Sequence, residues 1–424
     1  MNGTETDLQA PPTLPWQDWL QPGDRIVCSH MSAEPQLLLS SLAGGELPPS
    51  LTLDLGVPFS LAASAIPDTV SISTLGGMGS AGALAKARTL EFDRTEYPLL
   101  TEQFDTGGKR ADVVLVSLAQ AADGSLHPGA SHGPALAAAR YARHVIAEIN
   151  SAAPVLAGSA WPADIAITCK IPCHYPIAST RSDHEPGQVE NQIAEHIAGL
   201  IPNGACLQVG IGTLPSAILT RLRSHRHLGI HSGLLSDSLY SLIEQNVVDN
   251  SVKPTDLQQS IVGSVYGSTK LYAAVQQNTD IVLGSTAITH AQSVLQRIDN
   301  FLALNSALEI DLQGRVNAET VIDRHGNKRH VGGVGGLPAY ARGALASAGG
   351  QSIIALPSRS GAGDRVHSRI VNALQSDITL DHTLADVVVT EYGVAKLRGT
   401  DAVRRREQLI AIAHPEERDN LSSG

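Results

Sequence analysis

Aromatic residues, cysteines and excess positive charge are all scarce in this sequence of 424 residues. Phe, Trp and Tyr together make up 4% of the chain, so its interior must be built mainly from Ala, Val, Ile and Leu. The formal net charge is −11 and no long basic run occurs, which argues against nucleic acids and anionic membranes as partners. The four cysteines lie in or near apolar runs, which is typical of buried, reduced thiols.

Targeting and metal signals are also missing. No apolar run is long enough to span a membrane, and the N-terminal MNGTETDLQAPPTLPW lacks the basic-then-apolar plan of a signal peptide. We therefore expect a cytoplasmic protein without a membrane partner, starting with a disordered leader. The spacing in CKIPCH, with Cys169, Cys173 and His174, has no second ligand pair, so we predict no metal site.

Apolar runs rich in β-branched residues alternate with Ala- and Leu-rich segments along the chain. Such continuous apolar runs are typical of strands that are buried on both faces. The alternation predicts an α/β fold with mainly parallel sheets. The predicted strands are RIVCSH, SLTLDLG, ADVVLVSLA, HVIAEIN, CLQVGIG, HLGIHSG, QSIIALPS and ADVVVTEYG.

The chain is too long for one hydrophobic core, and its two halves share a plan. GDRIVCSHMSAEP and GACLQVGIGTLP each give a glycine turn, a strand and a proline that opens a helix. ADVVLVSLA and ADVVVTEYG form a second matching pair. We predict two domains of one fold facing each other across a cleft, over residues 1–180 and 189–424, with a linker within residues 175–188.

Two glycine-rich segments are candidate ligand sites. In QVGIGTLPSAI, Gly210 and Gly212 sit between a strand and a helix, where backbone N–H donors suit an anion or a developing oxyanion. In HVGGVGGLP, Gly333, Gly335 and Gly336 could wrap a long thin ligand. The alternative interpretations are a tight turn for the first segment and a loose hairpin for the second.

Several motifs in one order resemble the acetyl-CoA hydrolase/transferase family, in its 4-hydroxybutyrate CoA-transferase branch of the class I CoA-transferases. The motifs include LQVGIGTLPSAI, HLGIHSGLLSD, YGSTKLYAAV, NSALEIDLQGRVNAE, GGVGG followed by RGA, and VVVTEYGVAKLRG. The resemblance implies two similar open α/β domains with the active site between them and, often, a homodimer. It also implies an acyl-CoA thioester as substrate or ligand, with no permanently bound cofactor.

The resemblance assigns roles to particular positions. It makes Gln208 a site-lining amide and places Gly333, Gly335, Gly336 and Leu337 in the loop that meets CoA. In the family, a glutamate in a pattern like H-S-E-x-x-S-D-G attacks the thioester and forms a glutamyl-CoA intermediate. In this sequence that position is Gly233, which has no carboxylate.

A second departure lies in the glycine loop. The family tends to have an amide and an acid where this chain has Leu337 and Ala339. In an extended strand His231 shares a face with Gly233, so His231 is a candidate base for a water molecule that enters the vacated space. The alternative is a buried structural histidine bonded to the backbone.

Three functions remain open from the sequence. The first is an acyl-CoA-processing enzyme with altered chemistry, either thioester hydrolysis or acyl transfer without a glutamyl intermediate. The second is a catalytically silent CoA-ester-binding or regulatory homologue. The third is a CoA-transferase that uses another carboxylate, for which Glu309 and Glu319 are the candidates, although both are more often structural.

Overall fold

The structure is a computed structural model, and it describes residues 10–158, 160–180, 185–323, 325–361 and 366–423. Most of the predicted leader and residues 181–184 of the predicted linker lie outside the described residues. Contacts divide the chain into two compact units. The first contains residues 1–180 and 263–286, and the second contains residues 181–262 and 287–424.

All eight predicted strands are present. In chain order the strands are β1 Arg25–Cys28, β2 Thr52–Gly56, β3 Ser71–Thr74, β4 Glu91–Phe92, β5 Val113–Gln120, β6 Leu126–His127, β7 His144–Asn150, β8 Ala157–Gly158, β9 Cys169–Cys173, β10 Cys206–Val209, β11 Gly229–Ser232, β12 Ser260–Val262, β13 Ile281–Leu283, β14 Phe301–Ser306, β15 Glu309–Asp311, β16 Val316–Asn317, β17 Thr320–Ile322, β18 Lys328–His330, β19 Gln351–Ala355, β20 Arg359–Ser360, β21 His367–Ser368, β22 Ile370–Val371, β23 Val387–Thr390 and β24 Gly393–Lys396.

The helices are short, and many of them follow a strand. They are α1 Trp16–Trp19, α2 Gln36–Ala43, α3 Ala81–Ala87, α4 Tyr97–Asp105, α5 Ala135–Ala139, α6 Gln188–Ala198, α7 Thr213–Arg221, α8 Asp237–Glu244, α9 Thr269–Gln277, α10 Thr286–Thr289, α11 Gln292–Leu295, α12 Leu337–Ala346, α13 Ala402–Ala411 and α14 Arg418–Ser423. Single 3₁₀ turns cover Met31–Ala33, Ala62–Ala65, Leu222–Ser224, Thr255–Leu257 and Pro415–Glu417. Among the described helices, none is long and apolar enough to cross a membrane.

The large sheet of the first unit has the strand order β4-β3-β2-β1-β5-β7-β9, and these strands pair in parallel. Alternate side chains of β1 enter two different cores, because Ile26 packs into one and Val27 into the other. A parallel sheet buried on both faces explains why its strands are continuously apolar.

The large sheet of the second unit contains β12-β11-β10-β14-β19-β23 in parallel, with β24 antiparallel at the end. In both sheets the first strand is central. β2, β3 and β4 lie on one side of β1, and β11 and β12 lie on one side of β10, while β5, β7 and β9 of the first sheet and β14, β19 and β23 of the second lie on the other side. The predicted α/β class with mainly parallel sheets is therefore confirmed. Smaller sheets pair β15 with β16 and β22, β17 with β18, and β20 with β21.

The matching plan of the two halves holds for one pair of motifs and is wrong for the other. GDRIVC and GACLQV form β1 and β10, the central strands of their sheets. ADVVLV forms β5 beside the central strand, whereas ADVVVT forms β23, which β14 and β19 separate from β10. The second match reflects only the apolar composition that any strand buried on both faces requires.

One segment lies in a different unit from the one its sequence position suggests. Residues 263–286, within the predicted second domain, belong to the first unit. Within that unit Ser264 bridges to Ser131, and β13 pairs in parallel with β8. The segment has the same strand and helix pattern as its neighbours, so its composition does not indicate that it belongs to the first unit.

Candidate functional site

The carboxyl ends of β10 and β11 bring the GIG turn beside Gly233. The two strands pair in parallel, with Leu207 opposite Ile230. Two residues further along each strand, the hydroxyl of Ser232 lies 3.4 Å from both the backbone nitrogen and the carbonyl oxygen of Val209. Ser232 is fully buried, and its hydroxyl links the ends of the two strands.

The two glycines of the turn have different roles. Gly212 has φ of +124°, a backbone conformation open almost only to glycine, and it immediately precedes α7. The N–H of Gly210 instead donates to the carbonyl of Leu304 at 3.2 Å. The oxyanion donor predicted at Gly210 is therefore occupied by the sheet, whereas the start of α7 at Gly212 keeps the dipole that suits an anion.

Gln208 is paired with a second amide that the sequence analysis missed. Its side chain, 5% exposed, exchanges two hydrogen bonds with Asn305 of β14. Nε2 of Gln208 donates to Oδ1 of Asn305 at 3.3 Å, and Nδ2 of Asn305 donates to Oε1 of Gln208 at 3.0 Å. Each amide fixes the orientation of the other next to the turn, because the two bonds are reciprocal.

His231 is fully buried in β11. Its Nε2 donates to the carbonyl oxygen of Ile288 at 2.9 Å, and its ring lies edge-on to Phe301. Nδ1 is buried and has no hydrogen-bond partner among the described residues. Burial, with a contribution from the positive charge of Lys253, lowers the pKa of His231 to about 3. These are the contacts of a structural histidine, and they argue against the predicted role as a base.

The space in front of Gly233 is filled by His290 and Tyr340. A Cβ built on Gly233 would lie 3.1 Å from the hydroxyl oxygen of Tyr340 and 3.4 Å from Cε1 and Nε2 of His290. His290 is 4% exposed and Tyr340 is 2% exposed, and their ring centroids are 4.4 Å apart. Burial, followed by the nearby His231, lowers the pKa of His290 to about 3, so this imidazole is uncharged near pH 7.

Gly336, in the second glycine-rich segment, also lies against the imidazole of His290. A Cβ on Gly336 would lie 2.5 Å from Nε2 of His290, which leaves no room for any side chain there. Gly335 has φ of +54°, and α12 begins at Leu337, which packs against the core of the second unit. The missing side chain of Gly336 therefore leaves room for His290, and the CoA-binding role of Gly333, Gly335, Gly336 and Leu337 stays a prediction.

The alternative carboxylates have structural partners. Glu309 accepts hydrogen bonds from Asn317 and Ser376, and Glu319 accepts one from Thr379 at 2.8 Å. Glu319 is also 1% exposed. Among the described residues, no group of three or more His, Cys, Asp or Glu side chains is arranged to hold a metal ion.

His290, Tyr340 and Asn305 are the site residues that the sequence did not reveal. His290 lies in AITHAQS, which has no clear periodicity and no motif. Its neighbours come from chain positions 233 and 336–340, which only the fold brings together. A signal for Asn305 did exist, because it directly follows the apolar run FLAL, which is not among the predicted strands and which forms β14 beside the strand of Gln208.

Comparison with known proteins agrees with this architecture. Solved structures with the same fold include a 4-hydroxybutyrate CoA-transferase from Porphyromonas gingivalis, with 29% identity, a TM-score of 0.79 and coverage of 96% of this chain and 94% of that one. RipA from Yersinia pestis has 25% identity and a TM-score of 0.85, with coverage of 95% of this chain and 94% of that one. The fold is that of the CoA-transferases.

The family follows from the sequence matches. Residues 267–424 match the acetyl-CoA hydrolase/transferase C-terminal domain. A 4-hydroxybutyrate coenzyme A transferase from Clostridium kluyveri is 35% identical over 295 residues, which is 69% of this chain and 67% of that protein. The chain belongs to the acetyl-CoA hydrolase/transferase family, whose members process CoA thioesters.

Proposed function

We propose that this protein processes acyl-CoA thioesters without a glutamyl-CoA intermediate, by hydrolysis or by direct transfer of the acyl group to a noncovalent acceptor. The observation that carries the proposal is the surroundings of Gly233. The position that resembles the family's nucleophile has no side chain, and its nearest side-chain atoms belong to Tyr340 and His290. A neutral imidazole and a phenol replace the carboxylate that covalent catalysis needs.

In the hydrolytic form of this reaction, the oxygen of a water molecule bonds to the thioester carbonyl carbon. Negative charge then develops on the carbonyl oxygen, and the N-terminal end of α7 at Gly212 is suited to stabilise it. The C–S bond breaks as the carbonyl re-forms, and the departing CoA thiolate takes up the proton that the water has lost. The paired amides of Gln208 and Asn305 give a fixed polar surface beside that turn.

The family supports the substrate class, because its named relative is a coenzyme A transferase. Use of another carboxylate as the nucleophile is a weaker alternative. Glu309 and Glu319 already accept hydrogen bonds from neighbouring side chains, which fix them as structural anchors.

A second candidate function is a catalytically silent protein that binds CoA esters. It is favoured by the burial of both histidines near Gly233, because a buried ring with a pKa of about 3 is a weak base. Binding would then rely on the glycine turn and the glycine loop alone.

Incubation with acetyl-CoA, butyryl-CoA and succinyl-CoA, followed by a free-thiol assay, tests the proposal. Hydrolysis releases CoA thiol without any added acid, and acyl transfer to an added alcohol or amine also releases thiol. A CoA-transferase instead forms a new acyl-CoA from an added carboxylic acid, with no net release of thiol. Binding by calorimetry with no turnover on any ester would favour the silent protein.

The homodimer implied by the family resemblance and the cytoplasmic location expected from the sequence stay predictions. Light scattering on the purified chain tests the first, with twice the monomer mass expected.

A further inference from the structure

His290 is held rigidly at the position where a side chain from residue 233 would have to pass. Its Nδ1 lies 2.7 Å from the hydroxyl of Thr289, and one face of its ring packs against Tyr340 with the ring planes tilted by 40°. Its nearly complete burial leaves the ring little room to change rotamer.

Two glycines border this imidazole. A Cβ on Gly336 would overlap Nε2 and Cδ2 at 2.5 Å and 2.6 Å, and a Cβ on Gly233 would lie 3.4 Å from Cε1 and Nε2. The ring therefore packs against the backbone of two distant segments. The absence of a side chain at Gly336 makes this possible, and at Gly233 a Cβ would just reach the ring.

A glutamate at position 233 would meet two obstacles. Its Cβ alone would lie 3.1 Å from the hydroxyl oxygen of Tyr340 and 3.4 Å from His290, so Cγ and the carboxylate group beyond it would have to fit against these two buried rings. Its charge would also be desolvated beside an imidazole that is neutral near pH 7, and such a carboxyl group takes up a proton and loses its nucleophilicity.

From this geometry we infer that His290 determines the route of the reaction, because its imidazole occupies the space that a nucleophilic carboxylate at position 233 would need. The inference rests on the proposed function, since it explains why the covalent route is closed. It also predicts that the route reopens only when the imidazole is removed and the carboxylate is supplied together. In the reopened route the carboxylate bonds to the acyl carbon and releases CoA thiolate, which then attacks the resulting anhydride to give a glutamyl-CoA thioester and the free acid.

The test compares wild type, Gly233→Glu, His290→Ala and the double variant Gly233→Glu/His290→Ala after incubation with acetyl-CoA or butyryl-CoA. Intact-mass spectrometry measures the fraction of protein that carries CoA. We expect no adduct on the wild type or on either single variant. We expect an adduct on the double variant at least about tenfold above the background of Gly233→Glu, because only there are carboxylate and space both present.

A second double variant, Gly233→Glu/His290→Ser, replaces the first if thermal melting shows that the alanine substitution prevents folding. An adduct on Gly233→Glu alone would overturn the inference, because it would show that the imidazole does not close the route. The absence of an adduct on a folded double variant would overturn it as well. A failure of the proposed function has a different signature, which is an adduct on the wild type or no thiol release from it.

Discussion

The imidazole of His290 lies directly against Gly336, where a Cβ would be 2.5 Å from Nε2. Gly336→Ala therefore should lower the free energy of unfolding by about 1–3 kcal/mol, the usual cost of overpacking a core. Denaturant melts check this value. Gly199→Ala is the matched control, because Gly199 has φ of −67° and its Cβ would make only an ordinary contact at 3.5 Å. Equal stability of the two variants would contradict the packing described for His290.

Substitution of His231 tests whether this buried histidine at the end of β11 has only a structural role. His231→Gln can keep a donor toward Ile288 but loses the ring packed near Phe301, so we expect a lower melting temperature and a rate of thiol release within about threefold of wild type. The opposite outcome is a 10²–10⁴-fold loss of turnover at unchanged stability, the magnitude of general-base catalysis, and it would support the predicted role of His231 as a base.

Gly212→Val tests the turn at the start of α7. The native φ of +124° is unfavourable for any side chain and most unfavourable for a β-branched one. We expect calorimetry to show CoA-ester binding weakened by at least about tenfold in a variant that still folds. The Gly199→Ala variant should bind as wild type does. Unchanged binding by folded Gly212→Val would mean that the turn is only structural.

The two buried histidines predict that the second unit loses stability in acid. His231 and His290 have pKa values lowered to about 3 from 6.5, so the folded state stays unprotonated while the unfolded state takes up protons below pH 6.5. Stability should therefore fall as pH falls from 6.5 toward 3, by up to about 1.4 kcal/mol per pH unit for each histidine.

Replacing one ring isolates this effect. His290→Phe should reduce the slope of unfolding free energy against pH between 4 and 6, whereas His196→Gln, at an exposed position on α6, should leave the slope unchanged. The comparison of variants is needed because Glu34 and Glu148 in the first unit change the stability with pH in the opposite direction to the two histidines. Burial raises their pKa values to about 7 and 8, so their contribution to stability falls as pH rises above 4.5. An unchanged slope for His290→Phe would contradict the neutral buried imidazole.

The fold was largely predictable because strands buried on both faces have a strong composition signal. β1 and β10 could be matched from their shared turn, strand and proline plan, and they occupy equivalent central positions. The excursion of residues 263–286 into the first unit could not be predicted, because its strand and helix pattern is the same as that of its neighbours.

The candidate site was only half predictable from the sequence. A missing carboxylate at Gly233 is visible in a motif, whereas the group that fills its space is not. His290 contacts Gly233, Gly336 and Tyr340 through the fold, and no local pattern reports contacts over such separations. The hydrogen bond from the Gly210 N–H to the carbonyl of Leu304 likewise depends on how the strands are aligned in the sheet, which no local sequence pattern reports.

The most direct test of the central claim is the intact mass of the wild-type protein after incubation with an acyl-CoA that it turns over. The account predicts an unchanged protein mass while free CoA thiol accumulates, because Gly233 offers no carboxylate and His290 fills its place. A mass increase equal to bound CoA, mapped to a glutamate such as Glu309 or Glu319, would contradict the account and establish covalent transferase chemistry.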